Sequence, residues 1–360
     1  MKVLFDHQLF SYQRYGGASK YFAMLLNAMP REMWDTTTLF SNNEYVRNLN
    51  LFKTLHFLPN LYFKGQGRIM HELNKPYSKY RLRKHNYDVF HETHFETYCL
   101  KEIGDKPMVM TYHDVNYITI NPNPELVELQ KKSITRANAV IAISENTKKD
   151  ILKYFDIDER KIHVVYHGIS QIFEPTETLS NSEKFDFPYI LYVGTRGKHK
   201  NFQPFIKAFA EIHKFHPEVK MVCTAWPFSK EENELFKTLN ILDSMVQLNA
   251  DELSMNYLYQ HALLFVFPSL YEGFGMPLLE AMLNRCPIAS SNSSCLPEVG
   301  GEAVEYFDPN DTDSMISCVS KLIENEELRR SLIKRGCERV KAFTWEQCAD
   351  KHIKVYRSLI

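Results

Sequence analysis

The sequence predicts an α/β fold of two consecutive doubly wound, Rossmann-like domains that face each other across a cleft. Three observations predict it. Short apolar runs of strand length alternate with amphipathic stretches along the whole chain, the pattern of parallel sheets covered by helices. The length of 360 residues suits about two domains. A polar stretch over 171–187, with Pro175 inside it and Pro188 after it, lacks strong periodicity and separates two such series. The expected domains are residues 1–175 and 176–342, followed by a last helix within 343–360.

The elements follow in order. Lys2-Val3-Leu4-Phe5 reads as the first strand, residues 14–19 as a turn around Gly16-Gly17, and 20–29 as a helix. Further strands are expected at 88–91, 108–111 and 139–143. Ser144 is placed to cap a helix that runs to about Tyr154, and 162–166 is the next strand. The second series opens with a strand and glycine at 189–194 and continues with strands at 220–223, 245–248, 263–267 and 287–290. Neither a solenoid repeat nor a low-complexity tract is present. In doubly wound sheets ligands bind beyond the carboxyl ends of the strands, and every loop singled out below follows an expected strand.

Composition removes several function classes. Hydrophobic residues make up 44% and charged residues 24%, as in an ordinary globular chain. A formal net charge of -1 argues against nucleic-acid binding driven by bulk charge. Seven scattered cysteines without a CxxC spacing indicate neither a zinc site nor a disulfide framework, so a reduced, cytoplasmic setting is the simple reading. The apolar run at residues 3–5 is too short for a signal peptide, and no stretch approaches the ~20 apolar residues of a membrane span.

The most informative segment is 271–281. An apolar run of buried-strand length precedes it, and Leu278-Leu279-Glu280-Ala281-Met282-Leu283 reads as a helix with Pro277 at its first position. A strand, a glycine-rich turn and a helix start aim backbone N–H groups and a positive dipole end at an anion. Glu272 in the turn and Glu280 about one turn into the helix line the same crevice. Two carboxylates would repel a phosphate, so they suit sugar hydroxyls better. A phosphate together with hydroxyls describes a nucleotide sugar.

Four further features carry weaker signals. Arg196, Lys198 and Lys200 place three cations in a strand-to-helix loop that suits a diphosphate; the bland alternative is a solvated basic turn. His113 stands at a strand's carboxyl end, where it could meet a ligand or be a histidine satisfied inside the fold. Gly16-Gly17 lets backbone approach a ligand closely, or makes a tight turn; it is not a dinucleotide fingerprint. Residues 44–88 carry nine Lys/Arg against three Asp/Glu, interleaved with Phe52, Phe57, Tyr62, Phe63, Tyr77 and Tyr80. That region fits an anionic membrane surface or a lipid-diphosphate acceptor, or an ordinary solvated helical face. Asp156-Ile157-Asp158 and 308–311 read as surface turns rather than metal sites.

Taken together, these segments resemble the retaining glycosyltransferases of family 4, which have the GT-B fold, over nearly the whole chain. Glu272-Gly273-Phe274-Gly275 through Glu280 matches the family's E-x7-E element, with Pro268-Ser269 before it and residues 293–299 after it. Val193-Gly194-Thr195 with Lys200-Asn201 matches the phosphate loop, and His113-Asp114 the acceptor-domain motif. Residues 142–145 and 165–169 match two more segments. Members usually have Asn where His167 stands, and many have Arg where Thr195 stands, with Arg196 next to it here.

The resemblance implies residue roles. Glu280 would accept hydrogen bonds from the ribose hydroxyls, and Glu272 would contact donor-sugar hydroxyls near the reacting carbon. Phe274, Gly275 and Met276 would offer backbone N–H groups to the diphosphate or sugar. Lys200 and Arg196 would stabilise the departing diphosphate, and Leu248 would lie near the base. His113 would face the sugar from the opposite domain, Gly17 would lie near the phosphate or acceptor, and the last helix would pack back on the first domain. No metal or cofactor is expected. The implied activity is retaining hexosyl transfer from a nucleotide sugar to a hydroxyl acceptor, in the synthesis of bacterial surface polysaccharide, lipopolysaccharide or a lipid-linked glycan. The setting would be the cytoplasm or the inner face of its membrane. The rivals are a nucleotide-sugar epimerase or a phosphorylase of similar fold, and a catalytically silent sugar-nucleotide binder. Intact Glu272, Glu280, Lys200 and His113 argue against silence.

Overall fold

The computed structural model of the chain describes residues 1–61, 63–170 and 185–360. Most of the expected linker, with the 175/176 boundary, lies outside the described residues, as does Tyr62. The chain forms two compact units, one of Met1–Gly168 with Thr344–Ile360, the other of Ile169–Phe343.

Each unit is built on a six-stranded parallel sheet. In the first, β1 (Val3–Phe5), β2 (Trp34–Thr36), β3 (Val89–Glu92), β4 (Met108–Tyr112), β5 (Ala139–Ala142) and β6 (Ile162–Val164) lie in the order β2-β1-β3-β4-β5-β6. In the second, β7 (Tyr189–Tyr192), β8 (Lys220–Cys223), β9 (Met245–Gln247), β10 (Leu264–Phe267), β11 (Ile288–Ser291) and β12 (Glu305–Phe307) lie in the order β12-β11-β10-β7-β8-β9. Central strands such as β5 and β10 are buried along their whole length, which is why they read as unbroken apolar runs.

Two strands escape the sequence reading. β2 and β12 are three-residue edge strands, Trp-Asp-Thr and Glu-Tyr-Phe, each only partly buried. With one face in solvent and so few residues, neither shows a run or an alternation. The first long helix also differs: it spans Gly17–Ala28, so Gly17 is helical rather than part of a turn. The Gln13 side chain explains the early start. Its Oε1 accepts from the backbone N–H of Ser19 at 3.0 Å, as a capping side chain does. A Cβ at Gly16 would lie 2.3 Å from that oxygen.

Both strand orders reverse direction beside the unit's first strand, between β1 and β3 and between β7 and β10. At such a switch point the flanking loops diverge and open a crevice at the carboxyl ends. The Trp345–Arg357 helix packs within the first unit, where Trp345, Ala349, Ile353 and Tyr356 join a core that holds Phe5 and Phe22. Tyr356 Oη lies 2.6 Å from His91 Nδ1, and Tyr21 Oη lies 2.9 Å from His352 Nε2. Asp158 caps the short Glu159–Lys161 turn and pairs with Arg160, and Asp311 caps the Thr312–Glu324 helix. Among the described residues no helix is long and apolar enough to cross a membrane.

Candidate active site

The crevice of the second unit forms where the loops after β7 and β10 meet. The backbone N–H of Leu270 donates to the carbonyl of His199 at 2.8 Å, which ties the two loops together. Beside that tie, Lys200 Nζ donates to Glu272 Oε1 at 2.6 Å, with the two side chains 20% and 15% exposed. Glu272 is held through its backbone as well. Its N–H donates to Ser294 Oγ at 3.0 Å, and its carbonyl accepts from Cys295 Sγ at 3.2 Å. Lys200 is fixed at the end of a short turn. Asn201 follows in the left-handed region at φ 55°, and its side chain donates to the Pro309 carbonyl at 2.7 Å.

The helix after β10 spans Met276–Leu283, with Pro277 in its first turn and no side chain capping its N-terminus. Gly275 takes φ +88°, and a Cβ there would meet Leu296 Cδ2 at 2.7 Å, so both the turn and its packing exclude other residues. In that first turn Pro277 has no N–H and the Leu278 N–H donates to the Gly275 carbonyl at 3.0 Å, so the positive end of the helix dipole rather than a row of free amides is what the turn offers. Phe274 is buried, its ring 6.0 Å from that of Phe343. Glu280 is met by Tyr259, whose hydroxyl donates to Oε2 at 3.2 Å. Leu248 stands just past β9, on the same sheet edge but three strands from β10, and its N–H donates to the Cys223 carbonyl at 3.0 Å.

Arg196 is placed differently from Lys200. Its Nε donates to Glu232 Oε1 at 2.6 Å, and its guanidinium also reaches the carbonyls of Trp226 and Pro227 at 2.7 and 2.9 Å. Glu232 is itself the capping-box residue of the Lys230–Thr238 helix. The guanidinium is thus engaged as a brace between the β7 loop and that helix. Arg196→Met is expected to destabilise the second unit by about 2 kcal/mol, since it removes hydrogen bonds to a charged group. A thermal melt checks this: an unchanged Tm with a large fall in turnover would instead assign the charge to the diphosphate.

The first unit has its own polar cluster at the β1/β3 switch point. Asp6, just past β1, accepts from the Thr93 N–H at 3.1 Å and from the Gln8 N–H at 3.3 Å, and burial pushes its carboxyl up to about 6. Glu96 accepts from Tyr12, from His71 Nε2 at 2.7 Å and from Lys75 at 3.0 Å, and these partners hold it well below the usual carboxylate range. Burial lowers the neighbouring His94 to about 4. His113 follows β4 and is pushed down to about 4 by burial, so its imidazole is neutral at physiological pH. Its Nε2 is buried with no hydrogen-bond partner among the described residues, while its ring packs edge-on against Tyr21 at 5.1 Å. Gly17 opens the next helix, with open space where a Cβ would point.

The structure thus brings Lys200 to Glu272 and puts Glu280 on the helix that continues the Glu272 loop. It turns Arg196 to Glu232 and keeps His113 and Gly17 in the other unit. Sequence reasoning named Ser294 only within the 293–299 match and missed Tyr259, Asp6 and Glu96. The last two stand just past the ends of β1 and β3, a position that could have flagged them.

Comparisons with known proteins give the family of the chain. The family described as glycosyl transferases group 1 matches residues 175–339, and the one described as glycosyltransferase family 4 matches residues 15–171. An O-antigen chain mannosyltransferase B of Escherichia coli is 28% identical over 272 residues, 70% of each chain. The O-antigen chain mannosyltransferase RfbU of Salmonella typhimurium is 29% identical over 197 residues, and the match spans 54% of this chain and 53% of that relative. The crystal structure of HepE from Anabaena in complex with UDP and glucose superposes with a TM-score of 0.77 at 16% identity and covers 100% of both chains. The two family matches follow one another along nearly the whole sequence, one for each unit, and the chain belongs to glycosyltransferase family 4, with the GT-B fold.

Proposed function

We propose that the chain moves a hexose, with retention of configuration, from a nucleoside-diphosphate sugar to a hydroxyl of a lipid-linked glycan in surface-polysaccharide synthesis. The observation that carries this reading is the Lys200–Glu272 pair at the β7/β10 switch point, beside an uncapped helix N-terminus. A bound diphosphate would compete with Glu272 for Lys200. The exchange leaves the cation on the leaving group, where charge develops, and frees the carboxylate to accept from the sugar's hydroxyls. Amides of Phe274, Gly275 and Met276 would serve the diphosphate or sugar, Glu280 the ribose, and backbone near Leu248 the base. Positive charge from Lys200 and the helix end is the basis for proposing a reaction without a metal or other cofactor.

No protein nucleophile is assigned. The diphosphate is a weak base, and in this reading it takes the acceptor's proton on the face it leaves, through an oxocarbenium-like transition state. His113 keeps its proposed catalytic role as a neutral imidazole in contact with a sugar hydroxyl, and Gly17 its place near the phosphate or acceptor. The polar cluster around Asp6 and Glu96 is on the proposed acceptor side. The names of the two bacterial relatives favour mannose as the sugar, and a lipid-linked acceptor would put the reaction at the inner face of a membrane.

A thermal-shift screen against GDP-, UDP- and ADP-sugars tests the donor site. A donor at about 100 times its Kd adds roughly 2.7 kcal/mol, which raises the Tm of a unit this size by about 5–10 °C. No shift with any of them sinks the donor-site reading.

A further inference from the structure

The basic, aromatic segment of the first unit has a surface that the transfer chemistry does not use. Among the described residues, half of the twelve exposed large hydrophobic side chains fall within residues 55–80. Singly exposed apolar residues are ordinary, whereas a cluster marks an interaction surface. The Gln66–Arg83 helix buries Met70, His71, Asn74, Ser78 and Leu82. Its opposite face exposes Ile69, Leu73, Pro76 and Tyr80, spaced four, three and four residues apart. A solvated helix would carry polar side chains there.

The preceding loop continues this face. Leu55, Leu58 and Leu61 are 53%, 50% and 58% exposed. The carbonyls of Phe57, Leu58 and Leu61 converge on the Gln66 Nε2 amide at 3.0, 3.1 and 2.9 Å, sharing its two hydrogens, which fastens the loop to the helix start. Loop and helix therefore present one surface.

Its charge is one-sided. Residues 53–84 hold eight Lys/Arg and one Asp/Glu in a chain of net charge -1. Not all of these cations are available. Arg81 pairs with Asp35 at 2.6 Å, Arg83 with Glu102 at 2.7 Å, and Lys75 with Glu72 at 2.8 Å. Lys53, Lys64, Arg68, Lys79 and Lys84 form no ion pair among the described residues, and Lys84 rests over the ring of the exposed Tyr80 at 4.4 Å.

We infer that this face docks the protein on an anionic lipid surface, with the leucines and Tyr80 in the headgroup region and the unpaired lysines against lipid phosphates. An apolar stripe rimmed by unpaired cations complements an anionic bilayer, and a helix of this kind lies in the interface rather than across it. A groove of about 610 Å³, lined by Tyr12, Tyr15, Phe63 and Arg68 among others, lies at the first turn of the same helix. The inference rests on the proposed lipid-linked acceptor for its purpose and on the patch for its existence.

Flotation with vesicles tests it. The wild-type chain is expected to float with phosphatidylglycerol-containing vesicles, not with phosphatidylcholine alone, and less at high salt. Each unpaired cation contributes about five-fold to partitioning, so Lys64→Glu/Lys84→Glu should weaken flotation by more than ten-fold. Leu61→Asp/Leu73→Asp should abolish it, whereas Arg81→Gln/Arg83→Gln should change it little. Both patch variants should melt like the wild type and hydrolyse or transfer the donor to a soluble acceptor at the wild-type rate. Absent wild-type flotation, or flotation unaffected by either patch variant, overturns the inference. A dimer that Leu61→Asp/Leu73→Asp converts to monomer without loss of flotation overturns it too, in favour of a second copy of the chain. Flotation without any sugar transfer would instead refute the transferase reading and leave the docking face standing.

Discussion

Glu272→Gln is expected to lower the turnover of sugar transfer by about 10²–10³-fold and to leave the second unit folded. The rate effect follows from the loss of one preorganised group at the reacting centre. The retention of structure follows from how the residue is held. Ser294 Oγ and Cys295 Sγ bond its backbone, not its side chain, so the turn keeps its anchors in the variant. Glutamine also preserves the shape against Lys200, at the cost of an ion pair that is only partly buried. Lys200→Met should fall by a similar factor for the complementary reason, since the departing diphosphate loses its fixed cation. Steady-state kinetics with the donor identified by thermal shift, alongside a melt of each variant, is the measurement. Wild-type turnover in Glu272→Gln and in Glu272→Ala would remove the carboxylate from the mechanism.

Gly275→Ala is expected to destabilise the second unit by about 2–5 kcal/mol and to cost at least ten-fold in donor affinity. Two terms add. A residue with a Cβ held at φ +88° costs roughly 1–2 kcal/mol. The new methyl would also sit 2.7 Å from Leu296 Cδ2, whose side chain is fully buried and cannot simply swing away, and overpacking of this kind costs about 1–3 kcal/mol. The affinity falls because relief of the clash moves the helix start that presents its amides. Leu296→Ala separates the two terms. In the double variant the steric part should be recovered and the backbone part should remain. The experiment is a double-mutant cycle on Tm and donor Kd, and full additivity of the two single effects would refute the steric account.

Much of the fold was legible because parallel strands buried on both faces must be apolar throughout. β5 and β10 show themselves in sequence for that reason. β2 and β12 did not, because an edge strand of three residues with one wet face carries no such mark. The helix start at Gly17 was hidden for a different reason: its cap is supplied by Gln13, a residue whose reach back to Ser19 depends on the course of the intervening turn. In the site, Glu272, Gly275, Pro277 and Glu280 were legible as a unit. Tyr259 was not, since nothing in the Glu252–His261 helix marks one tyrosine as facing Glu280.

By itself the sequence determined what is local. A strand, a glycine that must adopt positive φ, a proline in the first helical turn and two carboxylates at fixed spacing are set by neighbours a few positions apart, and they specify the strand–turn–helix segment on which the proposed donor site is built. Tertiary structure alone decided which charges meet. Lys200 finds Glu272 across 72 positions, whereas Arg196, four residues before Lys200, is drawn to Glu232. It likewise decided that Arg81 and Arg83 are spent on Asp35 and Glu102 while Lys64 and Lys84 form no ion pair among the described residues. The reason is that an ion pair depends on distance and on the dielectric between its members, and neither quantity exists until the strand order has placed the loops.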